Sequence, residues 1–138
     1  MFSINFLMEN WKPGSYSLLA LLNGNKELGG YPSEVQVNST SSFYIYIENH
    51  ENKLALYEIK IYIVNSSFIL NSTSLQKCKP YYIFYDIINN NKNDTIPFNV
   101  TFNKPGQYKI LILLYMFNGS NFNYTGLYNQ FYINSTVR

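Results

Sequence analysis

Apolar residues recur at every second position along this chain, and turn residues break the pattern roughly every 8–12 residues. Between residues 54 and 64, Tyr57, Ile59, Ile61 and Ile63 fall on one side of an extended backbone, and Glu58, Lys60 and Tyr62 fall on the other. Successive side chains of a strand point to opposite faces, so this spacing builds a half-buried strand and denies a helix its apolar stripe. Residues 43–48 repeat the pattern, with Phe43, Ile45 and Ile47 apolar and Tyr44, Tyr46 and Glu48 polar. Residues 95–102 do so again, with Ile96, Phe98, Val100 and Phe102 inward and Asn99 and Thr101 outward.

The remaining strands follow from the same reasoning. Residues 16–22 read as a first strand, broken by Asn23-Gly24-Asn25 and Gly29-Gly30, which tolerate positive φ. Residues 35–37 and 43–48 read as one interrupted strand. Residues 68–70 and 81–88 read as strands, and 89–93 as an Asn-rich loop. Lys104-Pro105-Gly106 is a turn before the strongest strand, residues 108–116. Residues 122–133 form the last strand, with Gly126 as a bulge. About 7–9 strands and no crossover helix predict an all-β fold, an immunoglobulin-like antiparallel β-sandwich. Residues 12–138 form this sandwich, preceded by an apolar segment, residues 1–11, that serves as an extra strand or an interface.

Composition narrows the function. Aromatics are 18% of the 138 residues, so the chain is not intrinsically disordered. A net charge of +2 lacks the basic footprint of a nucleic-acid binder. One Cys and one His leave no disulfide framework, no Cys-based zinc site and few metal or acid–base constellations. No catalytic residue, cofactor or metal is assigned. His50 reads as a turn histidine capping backbone groups, because no nucleophile or second ligand stands at a useful spacing. Asp86 and Asp94 are too few for a calcium cage. Cys78 lies between two lysines and reads as an inert thiol rather than a reactive one.

Asparagine carries the strongest functional signal. With 20 Asn, chance placement gives about three Asn-x-Ser/Thr glycan acceptors, yet the chain has eight: Asn38, Asn65, Asn71, Asn93, Asn99, Asn118, Asn123 and Asn134. None is followed by Pro, and all fall in turns, at strand ends or on outward strand positions. Dense N-glycosylation requires export. The first ten residues nevertheless lack a basic n-region and do not read as a signal peptide. The chain is then a fragment of a longer precursor, an intracellular protein, or one with a misplaced start. The longest apolar run, residues 110–117, is too short to span a membrane.

Two surfaces stand out. Tyr81, Tyr82 and Tyr85, in a run of five aromatic and apolar residues, form a candidate platform for stacking sugar rings or anchoring a protein. Residues 108–117 are apolar on both faces. Leu111, Leu113, Tyr115 and Phe117 therefore form a candidate interface, covered by residues 2–11 or by another subunit.

Several local motifs have a family likeness. Tyr31-Pro32, Val35 and Val37, Asn49-His50-Glu51, Lys104-Pro105-Gly106 and the strand from Leu111 to Tyr115 together resemble the archaeal family called domain of unknown function 1616, over residues 12–133. The resemblance implies an extracytoplasmic β-sandwich, often attached to membrane-spanning helices, and no chemistry. The resulting expectation is a non-enzymatic, N-glycosylated structural or interaction module at an archaeal cell surface or in an extracellular assembly. Its partners would be protein, through self-assembly or a neighbouring surface protein, together with covalent glycans. The alternative is a carbohydrate-binding domain using the Tyr81–Tyr85 cluster.

Overall fold

A computed structural model describes residues 15–137. In chain order the elements are β1 (Tyr16–Leu22), β2 (Glu34–Gln36), β3 (Thr40–His50), β4 (Ala55–Asn65), α1 (Ser72–Gln76), β5 (Tyr82–Ile88), β6 (Lys92–Thr101), β7 (Gly106–Phe117) and β8 (Phe122–Thr136). One sheet has the order β1-β3-β6 and the other β2-β8-β7-β4-β5. The ladders are antiparallel except β2–β8, which is parallel. The expected immunoglobulin-like sandwich is therefore the fold.

The alternating residues close the core as the sequence pattern requires. Phe43, Ile45, Ile47, Phe98 and Val100 of the smaller sheet meet Tyr57, Ile59, Ile61, Ile110, Ile112, Leu114 and Phe131 of the larger one. Phe43 touches Phe98 within its own sheet and Phe131 across the sandwich, with ring centroids 5.4 and 5.0 Å apart. Each such side chain contributes about 1.5–3 kcal/mol on burial. Buried Asn129 on β8 donates to the Leu19 carbonyl of β1 at 3.2 Å, adding a polar tie between the sheets. At the start of β7, the Tyr108 hydroxyl donates to the Lys104 carbonyl four residues back, and its ring stacks on Phe102. This is the tyrosine corner typical of immunoglobulin-like sandwiches.

Two local expectations change and a third holds. Residues 35–37 and 43–48 are not one strand: residues 35 and 36 lie in β2 and residues 43–48 in β3, in different sheets. Asn38, at φ 68°, turns the chain between them, so β2 can join β8 while β3 joins β1 and β6. Residues 68–70 are not a strand. They open a crossover that includes α1, which Asn71 caps by accepting from the Ser74 N–H. Gly126 does mark a bulge: at φ 87°, it lies where the β7–β8 register shifts between Leu113 and Tyr115. The Thr125 hydroxyl closes the bulge by donating to the Leu114 carbonyl and accepting from the Leu127 N–H.

β7 buries both faces, and the cover comes from within the chain. Leu111 and Leu113 are 0% and 1% exposed beneath Tyr62, Phe68, Leu70, Leu75, Cys78 and Tyr128. The expectation that these two leucines form an interface is corrected, because the β4–β5 crossover folds back over them. Lys109 fastens that crossover by donating from Nζ to the Phe68 carbonyl. Residues 1–14, which include the segment proposed as an alternative cover, lie outside the described residues.

Candidate functional site

The Tyr81–Tyr85 run sits on and beside β5, which among the described residues is an edge strand paired with β4 alone. Strand alternation divides its rings between two faces. Tyr82 and Phe84 share the core-facing side, opposite Ile61 and Ile59, and Tyr81 meets Tyr82 edge-on at 4.8 Å. Tyr85 points to the outer face, where it donates to Glu58 at 2.8 Å and packs near Phe122. Tyr81, Tyr82 and Tyr85 therefore do not form one platform, which corrects that expectation.

The outer face of the larger sheet assembles a different aromatic surface. Tyr115 lies 5.5 Å from Tyr124, Phe117 lies 5.1 Å from Phe122, and the Lys60 ammonium sits 4.7 Å from the Tyr115 ring. Beside this surface, between the crossover and the β8 bulge, opens a cavity of about 420 Å³. Leu113 contributes to its lining, with Leu70 and Leu75 from the crossover and Tyr115, Tyr124 and Tyr128 from β7 and β8. Burial raises the Tyr115 hydroxyl above its ordinary value. Burial and the neighbouring tyrosines push Tyr124 up to about 12. Tyr115 and Phe117, expected at an interface, thus belong to this half-buried surface. Sequence reasoning missed the cavity because it read residues 68–70 as a strand, and nothing in the spacing of residues 66–81 places them over β7.

His50 ends β3 and is not a turn residue capping backbone. It shares the outward face with Tyr46 and Glu48, four and two residues earlier. Its Nε2 lies 2.8 Å from a Glu48 oxygen, and its Nδ1 lies 3.0 Å from the Asn91 side-chain oxygen. The Tyr46 hydroxyl donates to the other Glu48 oxygen. The bonds to Glu48 and then Asn91 raise the His50 pKa, while those from Tyr46 and His50 lower that of Glu48. The period-2 spacing of Tyr46, Glu48 and His50 is the sequence signal that could have found this array.

Asp86 and Asp94 also come together. Each takes the core-facing position of an edge strand, Asp86 opposite Tyr57 and Asp94 opposite Ile47. The Asp86 Oδ2 is buried with no hydrogen-bond partner among the described residues. Burial, followed by the bond to Asp94 and its charge, pushes the Asp86 carboxyl up to about 6. Among the described residues, no three His, Cys, Asp or Glu side chains gather as metal ligands. Cys78 is half-buried against Leu111 and Leu113, and its thiol points to the Ser74 carbonyl at 3.5 Å.

All eight acceptor asparagines are exposed. The buried asparagines Asn23, Asn49 and Asn129 instead serve the fold and stand outside acceptor triplets. Asn49 shows the difference, donating to the Lys53 and Ile88 carbonyls and accepting from the Glu51 N–H.

Residues 12–132 match the family described as domain of unknown function (DUF1616). The chain belongs to that family. No curated protein matches it in sequence. In fold, this DUF1616 domain is similar to the CARDB domain of the PF1109 protein from Pyrococcus furiosus. The TM-score is 0.58 and the identity 13%, covering 90% of this chain and 99% of that one. It is also similar to the C-terminal domain of wzt, at TM-score 0.55 and 9% identity, covering 93% and 81% of the two chains. A mutant beta-glucosidase from Listeria innocua, in complex with laminaribiose, matches at TM-score 0.57 and 12% identity. That match covers 88% of the DUF1616 chain and 16% of the enzyme, so it concerns one part of a larger protein. At these identities the likeness is one of fold. No helix among the described residues is long and apolar enough to cross a membrane.

Proposed function

We propose that this DUF1616 domain is a non-catalytic, N-glycosylated structural or interaction module of an archaeal cell surface or extracellular assembly. The observation that carries the reading is the division of its asparagines: every acceptor triplet presents an exposed Asn, while the buried asparagines lie outside such triplets. An Asn-rich composition alone does not impose that division. Edge strand β5 adds a surface for a protein partner, with Tyr85 and Ile87 60% and 63% exposed beside half-buried Phe117 and Phe122. An exposed apolar edge is a common site of strand addition.

Peptide mapping of native protein by mass spectrometry tests the reading. Glycan on several of the eight acceptors, and an intact mass above 16.1 kDa by the same glycans, is the expected result. Native material of bare mass would remove the argument for export.

A further inference from the structure

Resting on that glycoprotein reading, we infer that the cavity beside α1 seats the first sugars of a glycan carried by Asn71. This glycan is then packed against the domain, whereas one on the hairpin-turn residue Asn118 would extend into solvent.

Two independent features meet here. The first is the acceptor itself. Asn71 and Ser72 line the cavity, so a glycan on Asn71 starts at its rim. Asn71 is also oriented: its side-chain Oδ1 accepts from the Ser74 N–H at 2.8 Å, and its backbone N–H donates to the Ser74 hydroxyl at 3.2 Å. That leaves Nδ2, the atom a glycan joins, without a protein acceptor among the described residues. Attachment forms a bond from Nδ2 to the anomeric carbon of a glycosyl-phosphate donor. The donor's phosphate leaves, and one amide proton is released.

The second feature is the chemistry of the walls. Tyr115, Tyr124 and Tyr128 present rings to the cavity, and their hydroxyls make no hydrogen bond to protein among the described residues. A purely apolar ligand would leave those hydroxyls unused. A pyranose offers C–H faces for the rings and hydroxyls for the phenols, as amphipathic aromatic sites require. The covalent tether makes the contact intramolecular, so weak stacking suffices to populate it.

The test uses native glycoprotein and three variants made in the glycosylating host. Thr73→Ala removes the acceptor hydroxyl while keeping the Asn71 cap. Ser120→Ala removes the Asn118 acceptor as a control, and Tyr124→Ala removes a cavity wall. The expected result is glycan on Asn71 and a melting temperature lowered by about 3–6 °C in Thr73→Ala but not in Ser120→Ala. Tyr124→Ala should lower it further in the parent than in the Thr73→Ala background, which shows that ring and glycan are coupled. Equal shifts in Thr73→Ala and Ser120→Ala, or strictly additive effects of Thr73→Ala and Tyr124→Ala, overturn the inference. Glycan on other acceptors with Asn71 bare overturns it and leaves the glycoprotein reading standing. Bare protein at all eight acceptors overturns both.

Discussion

Truncating Leu111 to alanine separates cover supplied by this chain from cover supplied by a partner. Leu111 is 0% exposed on the face of β7 that points away from the main core, under the β4–β5 crossover. An outward leucine in a sandwich that met water on that face would cost less than about 0.5 kcal/mol. A fully buried leucine loses its transfer free energy and leaves a cavity, together about 2.7–5 kcal/mol. The half-buried tyrosines and the short crossover can relax somewhat into the space, so the expected cost is near the lower end, about 3 kcal/mol. For a domain of this size that lowers the melting temperature by about 10 °C. Urea unfolding of parent and variant at two protein concentrations tenfold apart measures it. The loss should be the same at both concentrations, because the covering residues belong to the same chain. A loss below about 1 kcal/mol would show that the second cluster does not bear on stability, and a loss that changes with concentration would show that a partner provides the cover.

Three further outcomes are expected. The Asp86 carboxyl titrates near 6 in the fold, above its ordinary value of 3.8, so it binds a proton more tightly folded than unfolded. Its contribution to stability therefore grows as pH falls from about 6 toward 4 and is lost as pH rises. Denaturation of parent and Asp86→Asn across that range should give a difference that changes with pH in this direction, and a flat difference would refute it. Tyr108→Phe removes the corner bond to the Lys104 carbonyl and should cost about 1 kcal/mol by chemical denaturation, with no change in the m-value. Gly126→Ala forces a side chain into the positive-φ bulge of β8 and should cost about 1–2 kcal/mol, and a neutral result would mean that the bulge relaxes.

Much of the fold is legible in the sequence because strand alternation is local. Tyr57, Ile59, Ile61 and Ile63 declare their face without reference to any other part of the chain, and the core contains them. The outward placement of Asn99 is readable in the same way, since Phe98 and Val100 beside it must turn inward. The turn chemistry of Lys104-Pro105-Gly106 likewise places Tyr108 at the start of β7, where its hydroxyl can reach back four residues.

Tertiary structure decided the rest because it depends on which distant segments meet. The apolarity of Leu111 and Leu113 announced that something must cover β7. Only the path of the crossover from β4 to β5 made that cover Phe68, Leu70 and Leu75. The tyrosines at 81, 82 and 85 look like one cluster in a list of letters. On an edge strand the same alternation that reveals the core sends Tyr85 outward and Tyr82 inward. Asp86 and Asp94 sit on strands in different sheets, and their meeting depends on how those sheets pack. Residue spacing encodes the direction of a side chain relative to its own strand. It does not encode which strand lies opposite, and the cavity beside Asn71 arises from that second kind of information.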